Sequence, residues 1–283
     1  MNHVRFTPAA ALAAAAIIGL TLAAPAVADP ARQHGPIQPR RNNDGSLKSG
    51  PHFTLLSSNW AGYAVANFQT GQTYHAATLT WQVAPISFGQ TLSEDSDEYA
   101  ASWVGIGGYC TNASCTTGDP SLIQLGTQSE VTADGVATYS AWLEMLPKPP
   151  VAIPIKIHAG DVVTASLQCT ARCSEKKQAW TLSMTNLSSG KSWSDSFPYT
   201  SSQLSVEWIE EAPVIGGVLP LANFGVAPFG TAGANGTAPI LTFADNGIAM
   251  ADPWGQIAVP SEPDAGDDFD VFWAYDPQAF STP

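Results

Sequence analysis

Hydrophobic and aromatic residues after position 52 occur in short runs, and almost every run ends at Gly, Pro, Asn or Asp. Such runs predict β-strands, and helical spacing of apolar residues is nearly absent. Asp134-Gly135 and Ser189-Gly190 stand between neighbouring runs and predict hairpin turns. The predicted strands cover residues 59–66, 75–83, 98–107, 122–132, 136–146, 162–168, 180–186, 191–197, 206–212, 222–227, 240–244 and 269–274.

A dozen antiparallel strands at short spacing predict an all-β fold, either a β-sandwich of two sheets or a jelly roll. The nine tryptophans are numerous for a chain of 283 residues. They are expected to fill the space between the sheets or to line a concave outer face, and the sequence does not divide them between these two places.

The N-terminus predicts export. Arg5 precedes an apolar, alanine-rich run over residues 9–24, and Ala26-Val27-Ala28 offers a small-residue cleavage site. Residues 1–28 are therefore interpreted as a secretory signal peptide, and the protein is expected to be secreted. An uncleaved membrane helix is the alternative, but the run is short for a span and a cleavage site follows it.

Residues 29–51 differ from the rest of the chain because they are rich in Pro, Gly and basic residues and poor in apolar ones. This composition predicts a disordered leader or propeptide, followed by one domain over residues 52–283. The leader is positively charged whereas the domain is acidic. We therefore expect the leader to dock on the domain at neutral pH and to loosen as carboxylates become protonated.

Charge excludes several classes of partner. Without its first fifty residues the chain has six Lys/Arg against 22 Asp/Glu, a formal net charge of −16. An acidic surface argues against binding to nucleic acid or to an anionic membrane. Few native ion pairs are available to be lost on acidification, which suits a protein that works at low pH. No cofactor is expected, and a monomer is the expected state.

The four cysteines form two close pairs, Cys110/Cys115 and Cys169/Cys173. In an exported protein such pairs predict two local disulfides. A metal site is the alternative, but His52, His75 and His158 are scattered and no H-E-x-x-H motif is present. No bound metal is expected.

Common hydrolase motifs are missing from the sequence. There is no G-x-S-x-G elbow, no pepsin-type D-T-G or D-S-G, and no cysteine placed as a nucleophile beside a histidine. Chemistry based on two carboxylates, or on a carboxylate and an amide, remains. Gln124 and Glu207 are prominent because each interrupts an apolar strand, although outward-facing strand residues are an equally ordinary interpretation. The candidates for such chemistry are Gln124, Gln128, Glu130, Glu144, Glu207, Glu210 and Glu211.

A series of motifs, in order, resembles the eqolisins, a family of glutamic endopeptidases. The matching segments are 57–62 (SSNWAG), 101–106 (ASWVGI), 123–126 (IQLG), 139–147 (YSAWLEMLP), 160–163 (GDVV), 185–190 (TNLSSG), 206–210 (VEWIE) and 221–225 (LANFG). The resemblance implies a sandwich of two large antiparallel sheets with a substrate groove on the concave face. It also implies an acid endopeptidase that acts on polypeptides.

The resemblance assigns roles to particular residues. Gln124 and Glu207 match the catalytic pair, and Trp103, Trp142 and Glu144 match residues that line or support the site. Gly107 and Gln128 stand where better-known members carry aspartate. Glu207 is expected to have an ordinary pKa near 4.3, as an acid-active base requires.

The resemblance also sets a geometric condition. Gln124 and Glu144 must project from the same face of neighbouring strands, which requires a hairpin loop of odd length around Asp134-Gly135. A three-residue loop with a left-handed glycine meets this condition, whereas a two-residue turn does not. Two alternatives remain open. One is a carbohydrate-active sandwich in which Glu144 and Glu207 act as paired acids, and the other is a secreted binding protein that has lost activity.

Overall fold

The computed structural model describes residues 33–50, 53–89, 96–264 and 267–275, so the predicted signal peptide (1–28) lies outside the described residues. Within those ranges the chain forms strands joined by turns and two four-residue helices. The strands are β1 Leu55–Ser57, β2 Trp60–Ala66, β3 Ala76–Gln82, β4 Glu98–Gly107, β5 Leu122–Val131, β6 Ala137–Met145, β7 Val151–Ile153, β8 Val162–Ala171, β9 Gln178–Asn186, β10 Lys191–Tyr199, β11 Ser205–Glu211, β12 Val226–Ala234, β13 Gly247–Ala251, β14 Gln256–Pro260 and β15 Phe269–Tyr275. The helices are α1 Asn67–Thr70 and α2 Phe243–Asn246.

The strands follow one hydrogen-bonded path, β10-β9-β8-β3-β12-β15-β14-β13-β2-β11-β4-β5-β6-β7. The path folds back on itself, so that β3 lies against β5 and β11. The Trp81 Nε1 donates to Thr127 Oγ1 at 2.9 Å, and the Trp208 Nε1 donates to the Thr78 carbonyl at 2.8 Å, both across the two layers. Neighbours along the path pair antiparallel, which confirms the predicted all-β sandwich.

Burial distinguishes the two halves of this path. Strands β8 and β9 alternate buried and partly exposed residues, as expected for a sheet with one face in the core and one in water. Strands β2, β4 and β11 are buried on both faces. One face contributes to the core between the layers, whereas the other forms a second apolar cluster on the concave side.

The concave side is covered by part of the leader, which corrects the predicted disorder for residues 33–50. Gln33 pairs with Val214, Pro39 with Ser57 and Arg41 with Leu47 in isolated β-bridges. Ile37 is 3% exposed and belongs to the concave apolar cluster. The composition argument failed here because the sheet supplies the apolar surface and the backbone partners that the segment itself lacks.

Several strand boundaries differ from the prediction. The strand predicted over residues 240–244 is wrong, because the Thr242 side chain accepts from the Asp245 N–H and begins helix α2. The strand predicted over 222–227 instead runs over β12. Strands β1, β7, β13 and β14 have three to five residues each and were not predicted, since so short an apolar run has no readable period.

The hairpin between β5 and β6 has the predicted odd length. The Thr132 N–H donates to the Val136 carbonyl at 3.1 Å, which leaves residues 133–135 as a three-residue loop. Gly135 has φ of 76°, in the left-handed region. Gln124 therefore pairs directly with Glu144, as the condition on the loop required.

Both predicted disulfides are present. The Cα atoms are 4.7 Å apart in Cys110–Cys115 and 5.8 Å apart in Cys169–Cys173. The first clips the loop that follows β4, on the concave side of the sheet, and the second clips the hairpin between β8 and β9.

Candidate active site

Four positions form one row across neighbouring strands on the concave face. Glu207 of β11 pairs with Gly105 of β4, Gly105 pairs with Gln124 of β5, and Gln124 pairs with Glu144 of β6. Directly paired residues project to the same side of a sheet. The polar groups that the sequence singled out in three separate segments are therefore aligned over one strip of the sheet.

The Gln124 amide is a buried hydrogen-bond donor at the centre of this row. Its Nε2 donates to Glu144 Oε2 at 3.0 Å and to the backbone carbonyl of His34 at 2.5 Å. The side chain is 0% exposed. The bond to Glu144 therefore orients the amide, so that Nε2 also donates to a carbonyl of the leader.

Glu144 is held by the leader as well as by Gln124. The His34 backbone N–H donates to Glu144 Oε2 at 2.9 Å. Burial raises the pKa of Glu144 to about 8, although its two hydrogen bonds oppose the rise. The carboxyl group is consequently neutral in acid, and the support it gives to Gln124 is then hydrogen bonding rather than charge.

Glu207 is fully buried with the leader in place. Neither carboxyl oxygen has a well-formed hydrogen bond among the described residues. Burial raises the pKa of Glu207 well above its ordinary value, and the nearby Ser205 hydroxyl opposes only part of the rise. This corrects the expected ordinary pKa, because the sequence could not show that the fold removes this group from water.

Glu211 is a further member of the site that sequence reasoning did not single out. Its Oε2 accepts from Trp103 Nε1 at 2.8 Å and lies 3.1 Å from His34 Nδ1. Its Oε1 accepts from Trp60 Nε1 at 3.3 Å. Positions 207 and 211 differ by an even number along one strand, so the period of two could have placed both on the same face.

The site tryptophans line the strip. The Trp142 ring stacks on the His34 ring with centroids 3.5 Å apart and planes 6° apart. Trp103 meets Trp60 edge to face at 5.0 Å. The structure does not bring Gln128 to this cluster. Gln128 lies further along β5 than Gln124, and its Nε2 donates to the carbonyl of the neighbouring Ser129. Three fully buried tryptophans, Trp81, Trp180 and Trp208, belong to the inner core instead.

Two glycines shape the strip. A Cβ on Gly105, between Glu207 and Gln124, would lie 2.8 Å from the Trp103 ring and 3.3 Å from the Gln124 Cβ. Gly107 has φ of 88°, and a Cβ there would lie 1.9 Å from the Ser121 carbonyl oxygen. This backbone excludes a side chain at position 107, so the conformation of this chain requires the glycine.

The described part of the chain has neither a cluster of metal ligands nor a membrane-spanning helix. Among those residues no cluster of three His, Cys, Asp or Glu side chains could hold a metal ion. In the same ranges no helix is long and apolar enough to cross a membrane.

Comparison with known proteins now bears on this site. Residues 58–263 match the Peptidase A4 family. A crystal structure of scytalido-glutamic peptidase with a peptide-based transition-state analogue is similar in fold, with a TM-score of 0.53 and 20% identity, over 77% of this chain and 98% of that chain. A comparison with curated proteins gave no match. The chain belongs to the Peptidase A4 family, the eqolisins, and is a glutamic endopeptidase.

Proposed function

We propose that this protein is a secreted acid endopeptidase in which Glu207 and Gln124 activate water and stabilise the oxyanion. The observation that carries the proposal is the hydrogen bond from Gln124 Nε2 to the His34 carbonyl. A peptide carbonyl of the leader accepts from this amide as the scissile carbonyl of a substrate would. Glu207 lies in the same cross-strand row, two strands away.

Hydrolysis then needs no covalent intermediate. Ionised Glu207 takes a proton from a water molecule, and the water oxygen adds to the carbonyl carbon. Gln124 donates to the oxygen that becomes negative, which is typically worth roughly 3 kcal/mol for one such donor. Protonated Glu207 then gives its proton to the peptide nitrogen. The C–N bond breaks, and a carboxylic acid and an amine are released.

The leader is proposed to act as an inhibitor that this protease must release. Its residue His34 occupies the Gln124 amide and the Glu144 carboxyl group, so a substrate carbonyl cannot reach Gln124 while the leader is docked. Two arginines of the leader contact the domain in different ways. Arg40 interacts favourably with the charge of Asp252, whereas Arg41 donates to the carbonyls of Ser114 and Cys115.

The test is hydrolysis of denatured casein from pH 2 to 7, with and without pepstatin. The wild-type chain is compared with Gln124→Ala, and release of the leader is confirmed by mass spectrometry. We expect cleavage restricted to acid, resistant to pepstatin, and reduced about a hundredfold to a thousandfold in the variant. Equal activity of wild type and Gln124→Ala would end this assignment.

A further inference from the structure

The leader occupies the groove in the manner of a bound peptide. From residue 33 to 38 its backbone is held at almost every residue. The Gln33 N–H and carbonyl each bond to Val214, at 2.9 Å. The Gly35 carbonyl accepts from Trp60 Nε1 at 3.1 Å, and the Pro36 carbonyl accepts from Asn59 Nδ2 at 3.2 Å. Backbone contacts of this kind do not depend on side-chain identity, so any extended peptide can make them.

His34 is the residue of the leader whose carbonyl meets Gln124, and its side chain enters a built pocket. The residue is 2% exposed. The ring lies flat on Trp142, and its Nδ1 lies 3.1 Å from Glu211 Oε2. The pocket therefore has a planar apolar wall and a hydrogen-bond acceptor at the edge of the ring.

Glu211 is oriented by side chains of the domain. Its carboxylate accepts from the indoles of Trp60 and Trp103, and the Asn59 amide lies at 3.5 Å. These donors come from β2, β4 and the turn before β2, so the domain itself orients the acceptor that His34 meets. Because this acceptor is already oriented, a ligand loses little free energy in ordering it. A ligand without a donor leaves the buried acceptor without a hydrogen bond, which costs affinity.

We infer that this pocket is a specificity subsite for a flat side chain that carries an N–H donor, histidine above all, on the residue that supplies the scissile carbonyl. Glu211 determines the specificity and Trp142 forms the wall. The inference rests on the proposed function, because it takes the His34 carbonyl as the analogue of the scissile carbonyl.

The pocket discriminates between side chains by the contacts that each one fails to make. Phenylalanine stacks on Trp142 but brings no donor to Glu211, which leaves a buried acceptor facing a ring edge. Lysine brings a donor to Glu211 but has no flat ring to stack on Trp142. A site built to accept a hydrogen bond rejects analogues that lack the donor far more strongly than an apolar pocket rejects a missing methylene. We expect histidine to exceed phenylalanine by about tenfold or more in kcat/KM.

The experiment uses the acid-activated wild-type protein, expressed as the full chain, on a mixture of peptides from a digested proteome. Mass spectrometry gives the frequency of each residue on the N-terminal side of the cleaved bond. Two matched peptides from that digest, with His or Phe at this position, then give kcat/KM for wild type, Glu211→Gln and Glu210→Gln. Glu210 is the matched control, since it is equally buried but bonds to Ser102 on the opposite face.

We expect enrichment of histidine in the wild-type digest and a ratio of His to Phe that falls toward one in Glu211→Gln alone. The wild-type digest decides the question even if Glu211→Gln fails to fold. Cleavage without enrichment of histidine, or an equal fall of the ratio in Glu210→Gln, would overturn the subsite and leave the proposed function intact. No cleavage of casein or of any peptide would overturn the proposed function, and the subsite with it.

Discussion

At the scale of single residues, burial alters the carboxyl groups of the site, whereas sequence reasoning expected an ordinary pKa for Glu207. With the leader seated, burial raises the pKa of Glu207 and of Glu211 well above the ordinary value. Gln124 has no charge at any pH. The chemistry proposed for Glu207 therefore requires that the groove open and hydrate this carboxyl group, which lowers the pKa towards the range of an acid-active base.

Replacing Glu207 by glutamine separates this catalytic role from folding. The change removes the proton carrier and keeps the shape, so we expect casein hydrolysis at acid pH to fall by more than about a thousandfold. The melting temperature at pH 7 should be unchanged or higher, because the folded state no longer has to protonate or bury this acid. Both quantities are measured on the same preparation. Retained activity would exclude Glu207 as the base.

Gly105 is expected to keep open the space between Glu207 and Gln124. In Gly105→Ala the added methyl group would press on the Trp103 ring and the Gln124 Cβ. We expect kcat/KM for casein-derived peptides to fall by about tenfold to a hundredfold, since small displacements of catalytic groups are costly. Gly230→Ala on β12 is the control, because its Cβ would meet only the Asp268 carboxylate at 3.3 Å. Equal effects in the two variants would refute a role of Gly105 in the site.

At the scale of elements, register decides whether the site exists. The three-residue loop 133–135 sets the pairing of Gln124 with Glu144. A shift of one residue moves every side chain of a strand to the other face. Sequence reasoning could state this condition on the loop, but only the hydrogen bonds of the hairpin show that it is met.

Shortening this loop tests the register. We expect deletion of Ala133 to separate Gln124 from Glu144 and to abolish casein hydrolysis. Gly135→Ala is the matched control in the same loop. It keeps the loop length and costs about 1 kcal/mol of stability for a side chain at positive φ, so activity should persist. Retained activity in the deletion variant would show that the assigned register is wrong.

At the scale of the whole molecule, residues 33–50 of the leader pack on the domain. This segment buries the concave face, and His34 contacts β5 and β6 across 90 and 110 residues of sequence. The full chain is therefore expected to be latent until the leader is displaced.

Weakening the contacts of His34 with the groove, here called the latch, should make activation faster. In the full chain, His34→Ala loses the stack on Trp142 and the contact with Glu211, so we expect a shorter lag and more casein hydrolysis between pH 5 and 7. His158→Ala is the control, because His158 is 73% exposed and its ring contacts only the nearby Asp161 among the described ion pairs. An unchanged lag in His34→Ala, or an equal change in the control, would count against the latch.

Stability should depend on pH in the direction set by the buried acids. Burial raises the pKa of Glu144 and of Glu210 to about 8, from an unfolded value near 4.5. The folded state therefore binds these protons more tightly, and their contribution is complete below about pH 4.5 and lost as pH rises towards 8. We expect the melting temperature to fall between pH 4.5 and 8, and Glu210→Gln to flatten that fall. A melting temperature that rises across this window would contradict the assignment.

The sequence by itself determined the class of fold and the two disulfides, and it predicted the candidate catalytic residues. Short apolar runs between turn residues are local signals, and motifs such as IQLG and VEWIE are contiguous, so both can be read along the chain. Strands that no predicted hairpin joins found their neighbours only in the tertiary structure. The order β11-β4-β5-β6 is not the order of the sequence, and it is this order that aligns Glu207 with Gln124. The leader's path and the role of Glu211 were likewise decided in three dimensions, because a period of two tells which face a side chain takes but not what covers that face.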